Sequence, residues 1–188
     1  MADEFKIRRA VPGDAGQIWE VMEQAVQTME NEEWFVPDDK KWIEDHIEGQ
    51  GFTMVAEAEK GEIAAFFIVA FPGDDEGNLG RELRLGQDQL LLSAHMDSAA
   101  VRPEYRGNHL QGRLLEAAER ELCLFPHEYL LCTVHPDNHA SLNTMLRHGY
   151  VIVATKEKYH GRLRHILYKK KERPIKPNIL VSACLVGA

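Results

Sequence analysis

The strand, turn and helix predicted for residues 90–122 limit the possible folds more than any other part of this 188-residue chain. Residues 90–101 form a mostly apolar run with polar interruptions, which predicts a buried strand. Pro103 and Gly107 mark a tight turn, and residues 108–122 then carry apolar side chains at helical spacing. The chain therefore passes from a core strand through a short turn directly into an amphipathic helix.

The junction between this strand and this helix has the geometry of an anion site. The first N–H groups of a helix have no intrahelical partner, and the helix dipole adds partial positive charge there. A pyrophosphate can bind at such a helix N-terminus without a dedicated basic pocket. Arg106 lies in the turn and can add a charge-assisted hydrogen bond.

The remaining segments predict further strands and helices of one domain, which we place at residues 1–172. Strands are predicted at residues 5–10, 53–59, 62–71, 129–134, 150–158 and 162–169, and helices after Pro12, after Pro37 and at residues 138–147. Residues 72–89 are acidic and rich in glycine, which predicts a long loop able to cover a ligand. Residues 173–188 are interpreted as a C-terminal tail outside the domain.

Composition argues against several classes of protein. Hydrophobic residues make up 44% of the chain, enough for a folded core, and the formal net charge of -8 argues against a nucleic-acid partner. The N-terminus lacks the features of a secretory signal and no segment is long enough to span a membrane, which predicts a cytoplasmic protein without a membrane partner. Cys123, Cys132 and Cys184 lack a CxxC or a histidine at ligand spacing, so neither disulfides nor a metal are expected.

The turn after the predicted strand resembles a motif of a known family. Residues 101–112 read VRPEYRGNHLQG. This is similar to the pyrophosphate loop of the GNAT superfamily of acyl-CoA N-acyltransferases, Gln/Arg-x-x-Gly-x-Gly/Ala after a strand that ends in Val-x-Pro. Arg106 fills the first position, Gly107 matches a glycine frequent in the loop, and His109 and Gln111 occupy the two small positions. A helical φ at both would make glycine unnecessary for the backbone, but each Cβ must clear the phosphates.

A second match follows at the predicted distance. Asn138-His139-Ala140-Ser141, with Gly149-Tyr150 after the helix, resembles the Asn-x-x-Ala/Ser helix of the family, which ends in Gly-Phe. In the family this asparagine contacts the pantetheine arm. Asn138 and Gly149 are equally consistent with a helix N-cap and a C′ glycine.

The resemblance implies a fold of the α/β (α+β) class. The GNAT fold has a mixed, mostly antiparallel central sheet, splayed by a bulge and flanked by helices on both faces. It also implies acetyl-CoA as co-substrate, without a metal, and a pantetheine arm that pairs with the backbone of the strand before the turn. The predicted cofactor-binding residues are Ala99, Ala100, Val101, Arg106, Gly107, Asn108, His109, Leu110, Gln111, Gly112, Asn138 and Ser141.

An acceptor amine with a pKa of about 10.4 must lose a proton before it attacks, so a base or a water chain is expected near the thioester. His95 and Asp97, two residues apart on the predicted strand, are the catalytic candidates, although a hydrogen-bonded polar pair inside the cleft fits the sequence as well. His135 is a third candidate, and it is also consistent with a loop histidine. Met145 holds the position where the family often carries a tyrosine that protonates the leaving thiolate.

The acceptor site is expected at the connection of the first two helices, where the family builds its acceptor pocket. Glu33, Trp34 and Phe35 are the predicted substrate-binding residues, since a carboxylate beside aromatic rings suits a cationic amine. Solvated acidic residues beside a core tryptophan are the alternative. The predicted acceptor is an amine of a small molecule or a peptide, and the protein is expected to be a monomer or a homodimer.

Two functions are consistent with these features. The first is an N-acetyltransferase. The second is a catalytically weak GNAT-fold module that binds acyl-CoA as a sensor or binds a partner, favoured by His109, Gln111 and Met145. Residues 178–187 in the tail weakly resemble the opening strand of a thiouracil-desulfurase-like family.

Overall fold

The computed structural model describes residues 4–171, so the predicted tail and its resemblance lie outside the described residues. A seven-stranded sheet forms the centre of this part of the chain, in the order β1-β2-β3-β4-β5-β7-β6. Its strands are β1 Lys6–Arg9, β2 Gly51–Glu57, β3 Ile63–Ala70, β4 Ser93–Val101, β5 Tyr129–Val134, β6 Val151–Lys158 and β7 Arg162–Lys170. The helices are α1 Ala15–Gln27, α2 Lys40–Asp45, α3 Gln87–Leu90, α4 Leu110–Glu121 and α5 His139–Arg147. None of the helices among residues 4–171 is both long and apolar enough to cross a membrane.

The sheet is mixed and mostly antiparallel, as the sequence predicted. Adjacent strands pair antiparallel except β4 and β5, which pair in parallel through only three residues of each strand, Ser93–His95 with Tyr129–Leu131. Beyond His95, no described strand pairs with this edge of β4. The two strands therefore diverge, and a gap opens between them.

Both faces of the sheet are covered by helices. Every residue of β3 is buried, because successive side chains of a central strand point to opposite faces and both faces are packed. Phe67 packs with Leu114 of α4 on one face, whereas Phe66 packs with Ile18 of α1 on the other. Burial of a phenylalanine side chain stabilises the fold by about 1.5–3 kcal/mol.

A bulge interrupts β4 beside the gap. Phe67 of β3 pairs with Ala99 and Val69 pairs with Met96, so three steps along β4 oppose two steps along β3. The additional residue lies at Asp97 and Ser98. Such a bulge bends a strand and re-aims its side chains.

The long loop at residues 72–89 is more ordered than its composition predicted. It contains a short 3-10 helix, Leu79–Leu83, followed by α3. Asn78 is buried, and its Nδ2 donates hydrogen bonds to the carbonyls of Gly73 (2.6 Å) and Leu90 (3.1 Å). These bonds hold the loop against the start of β4.

Candidate functional site

The gap between β4 and β5 widens into a cleft of about 680 Å³, which we call the main cleft. One wall is the unpaired edge of β4, and the others are the turn after β4, the first turn of α4, and α5. All the predicted cofactor-binding residues line this cleft except Asn108. The Nδ2 of Asn108 instead donates to the carbonyl of Tyr105 at 3.1 Å, which holds the turn together.

The backbone at the turn differs from the prediction at one residue. The helix begins at Leu110 rather than at residue 108, and His109, its N-cap, has φ +54°. The expectation of a helical φ at His109 is therefore wrong. A left-handed conformation costs a residue with a Cβ about 1–2 kcal/mol, whereas Gly107, with φ +87°, adopts its conformation freely.

The left-handed turn at His109 exposes the start of α4 to the cleft. The first intrahelical bond of this region is donated by the N–H of Arg113 to the carbonyl of His109, at 3.1 Å. The N–H groups of Leu110, Gln111 and Gly112 precede that bond, and all three residues line the cleft. This is the arrangement of donors that binds an anionic phosphate.

Side-chain contacts join α4 to α5 across the cleft. Gln111 Nε2 donates to Ser141 Oγ at 3.0 Å, and His148 Nε2 lies 3.3 Å from a carboxylate oxygen of Glu116. A Cβ on Gly112 would lie 3.2 Å from the His148 ring, so glycine permits the close approach of the two helices. Asn138 caps α5, since its Oδ1 accepts from the N–H of Ser141 at 3.2 Å, and it also lines the cleft.

A second, smaller cavity of about 110 Å³ adjoins the main cleft, and we call it the side pocket. The residues on the wall shared by both cavities come from the first connection, β4 and β5: Trp34, Phe35, Met96, Asp97, Cys132 and Thr133. The side pocket is completed by Val36, Asp38, Leu79, His95, Ser98, Tyr159 and Arg164. Two of the three predicted substrate-binding residues, Trp34 and Phe35, thus lie where the acceptor was expected.

Asp97 lies in the bulge of β4, where its side chain is exposed to the two cavities that it lines. Loss of hydration beside the surrounding protein atoms, together with the negative charge of Asp38, raises the pKa of Asp97 to about 7. Burial likewise raises the pKa of Asp38. The hydroxyl of Ser98 donates to Asp38 at 2.5 Å and lies 3.5 Å from Asp97, so it stands between the two carboxylates. A carboxylate with a pKa near 7 can accept a proton and release it at neutral pH.

His95 also lines the side pocket, but its ring is already engaged. Its Nε2 accepts a hydrogen bond from the backbone N–H of Leu79 at 3.0 Å, so the ring is neutral with its proton on Nδ1. Burial and then the charge of Lys158 lower the pKa of His95 to about 4. His95 therefore anchors the loop over the pocket.

Two predicted residues lie away from the cavities. His135 is buried after β5, where its Nδ1 accepts from the N–H of Asp137 at 3.1 Å, the loop arrangement weighed as its alternative. Glu33 has an exposed side chain that lines neither cavity, and only its carbonyl faces inward, where it accepts from Arg164 at 2.7 Å. Asp38, which the sequence analysis did not single out, supplies the second carboxylate instead.

Other residues of the site escaped the sequence analysis. Tyr159, in the β6–β7 turn with φ +48°, directs its hydroxyl to within 3.2 Å of Thr133 Oγ1. Arg164 of β7 lies behind it, with its guanidinium 5.7 Å from the Tyr159 ring centre. Met145, at the position of the family's tyrosine, is 2% exposed and lines the main cleft. Among the described residues, no group of three or more histidine, cysteine and acidic side chains is arranged to hold a metal ion.

A sheet split between two parallel strands, with a helix N-terminus beside the split, is the arrangement that the resemblance to the GNAT superfamily predicted. Residues 19–150 match the model of the acetyltransferase (GNAT) family. The match covers more than half of the chain, which therefore belongs to the GNAT family of acetyltransferases. Comparison with curated protein sequences gave no significant match.

Solved structures share the fold at low sequence identity. The ribosomal-protein-S18-alanine N-acetyltransferase of Escherichia coli is 18% identical, with a TM-score of 0.67 over 94% of this chain and 99% of that one. A putative acetyltransferase of Acinetobacter baylyi gives a TM-score of 0.70 at 14% identity, covering 94% and 98%. A phosphinothricin acetyltransferase of Sinorhizobium meliloti in complex with acetyl-CoA gives 0.66 at 16% identity, covering 97% of both chains.

Proposed function

We propose that this chain transfers the acetyl group of acetyl-CoA to an amine, with acetyl-CoA in the main cleft and the amine in the side pocket. The observation that carries the proposal is the position of Asp97 on the wall shared by the two cavities. A transfer between two substrates requires their reacting atoms to meet in a fixed orientation. The shared wall is the place where the two cavities adjoin.

The residues that line the main cleft suit acetyl-CoA. The free N–H groups at the start of α4 and the guanidinium of Arg106 would bind the pyrophosphate, although Arg106 Nη2 now donates to Thr28 Oγ1 at 2.8 Å. The unpaired edge of β4 offers backbone groups of Ala99–Val101 to the pantetheine arm, as a strand would. A backbone N–H on the same edge would stabilise the negative oxygen of the tetrahedral intermediate.

Asp97 would accept the proton that the amine must lose. An ammonium group with a pKa of about 10.4 is almost entirely charged at pH 7, so it needs a base within hydrogen-bonding reach. A nearby ammonium also favours the ionised form of Asp97, because opposite charges attract strongly in an enclosed site. The proton thus passes first from the ammonium to the Asp97 carboxylate, and the neutral amine then attacks the thioester carbonyl.

The acetyl group would pass directly to the amine. Cys132 is the thiol nearest this chemistry, but burial raises its pKa far above that of an ordinary thiol, so it remains protonated and a poor nucleophile. The carbon–sulfur bond of the tetrahedral intermediate then breaks to release CoA as a thiolate. A thiol with a pKa of about 8.5 leaves acceptably without the tyrosine acid that Met145 replaces.

The first experiment combines binding with turnover. Acetyl-CoA should raise the thermal midpoint, since a hundredfold excess over Kd stabilises by about 2.7 kcal/mol, and an adenine nucleotide without the pantetheine arm should not match it. Release of CoA, followed with a thiol reagent, should depend on an added amine and fall in Asp97→Asn. Asp88→Asn, which alters an exposed carboxylate on α3, is the matched control.

The outcome also separates the two functions left open by the sequence. A shift with acetyl-CoA that is followed by no amine-dependent CoA release across a broad panel of amines would favour the acyl-CoA-binding module. The absence of a shift at millimolar acetyl-CoA would contradict both.

A further inference from the structure

The side pocket contains a buried cation that forms no ion pair among residues 4–171. Arg164 is 2% exposed. Its Nη1 donates to the carbonyl of Leu163 at 2.8 Å and its Nη2 to that of Glu33 at 2.7 Å, but it forms no ion pair with a carboxylate among residues 4–171. A buried charge without a counter-ion is strongly destabilising. A carboxylate of a ligand in the side pocket would supply the missing opposite charge.

A second unsatisfied donor lies in the same cavity. The Nε1 of Trp34 is buried and has no hydrogen-bond partner among the described residues. Trp34 follows Glu33, the residue whose carbonyl holds the Arg164 guanidinium, and both Trp34 and Arg164 line the side pocket. A buried donor without an acceptor is destabilising, and an oxygen atom of a ligand would offset this cost.

The charges of the side pocket are therefore divided between two groups of side chains. Asp38 and Asp97 supply carboxylates joined through Ser98, and Arg164 with Trp34 supplies hydrogen-bond donors. All of them line a cavity of only about 110 Å³, so a ligand that meets both must carry its two charges a few bonds apart. A simple alkylamine would satisfy the carboxylates and leave the guanidinium unpaired.

We propose that the acceptor is an α-amino acid, whose ammonium faces Asp97 and Asp38 and whose carboxylate binds Arg164. This inference rests on the proposed function for the reaction of the amino acid with acetyl-CoA. The binding of the amino acid does not depend on that reaction. The proposal excludes the α-amine of a peptide, because the carboxyl group next to that amine is part of a peptide bond and carries no charge.

The test compares each of the twenty common α-amino acids with its primary amide, which keeps the amine and removes the carboxylate. With acetyl-CoA present, at least one amino acid should react with a kcat/KM about tenfold to hundredfold above that of its amide, as expected for one charge-assisted contact. Amides that react as well as every corresponding amino acid would overturn the proposal.

Variants of two arginines on β7 locate the effect. Arg164→Met should reduce the acid-to-amide ratio at least tenfold, and Arg164→Lys should retain part of it. Arg162→Met is the matched control, because Arg162 also donates to a carbonyl of the first connection, Phe35 O at 3.0 Å, but lines neither cavity. A ratio that survives in Arg164→Met, or falls equally in Arg162→Met, would contradict the assignment.

Equilibrium binding distinguishes this proposal from the proposed function. Calorimetric titration of amino acids and amides into the protein saturated with CoA measures recognition of the carboxylate without turnover. Carboxylate-dependent binding without CoA release from acetyl-CoA would support this proposal and contradict acetyl transfer. No amino acid binding at millimolar concentration would overturn it even if other amines are acetylated.

Discussion

The role of Asp97 as a base predicts a definite dependence of activity on pH. With a pKa of about 7, Asp97 is about 9% ionised at pH 6 and about 91% ionised at pH 8, so its contribution to kcat/KM should rise about tenfold over this range. Asp97→Asn should lower kcat/KM by about 10²- to 10⁴-fold. Because the amine itself also titrates, the quantity to plot is the ratio of wild-type to variant activity. A ratio that stays flat between pH 6 and pH 8 would refute the reasoning.

The second carboxylate provides an independent check on the same group. The negative charge of Asp38 contributes to the raised pKa of Asp97, so Asp38→Asn should move the midpoint of the wild-type profile to lower pH. An unchanged midpoint would mean that another group controls the profile. Asp88→Asn should leave the midpoint where it is.

The raised pKa of Asp97 means that this residue lowers the stability of the fold at neutral pH. A carboxyl group whose pKa is higher in the folded than in the unfolded state binds more protons when folded, so stability falls as pH rises from about 4 to 7. Asp97→Asn removes this loss. The variant should therefore have a higher thermal midpoint than the wild type at pH 8, and the difference should shrink toward pH 4, where Asp97 is protonated in the folded state and about half protonated in the unfolded state.

Two further predictions concern histidines of the site. The pKa of His95 is lowered to about 4 in the fold, so the unfolded chain binds more protons below about pH 6.5, and stability should fall as pH drops from 6.5 to 4. This contribution should be absent in His95→Gln. Denaturant unfolding of both proteins at pH 5 and pH 7.5 measures the difference. His109→Gly should relieve the left-handed strain and remove a Cβ from the phosphate loop, so calorimetry should show tighter binding of acetyl-CoA while the thermal midpoint is maintained. Gly107→Ala, at φ +87°, should lower the thermal midpoint. Weaker binding in His109→Gly would show that the imidazole itself contacts the cofactor.

The order of the strands and helices, apart from α3, could be predicted because each of the others has a strong local pattern. The apolar run at Tyr129–Val134 is bounded by polar residues, and its predicted limits are those observed. The hairpin at Gly61 follows equally from a glycine that takes φ +82°. The predicted cytoplasmic location and oligomeric state stay predictions.

The side pocket could not be predicted because distant segments build it. Arg164 is fixed by the carbonyl of Glu33, which lies 131 residues earlier in the chain. One signal was nevertheless present in the sequence, since Arg164 lies two residues before the apolar Ile166 in a predicted strand, which puts both side chains on one face. No comparable signal predicted the left-handed backbone of His109, because glycine, not histidine, is the residue typical of that conformation.

The contacts between α4 and α5 close one end of the main cleft. At one end the two halves of the sheet are joined by the three parallel pairs of β4 and β5, and at the other end Gln111 and Ser141 join the helices that follow those strands. The opening thus has a contact between the two halves of the protein at each end. A long ligand would enter such an opening by threading, and its entry and exit rates should depend on how often the Gln111–Ser141 hydrogen bond opens.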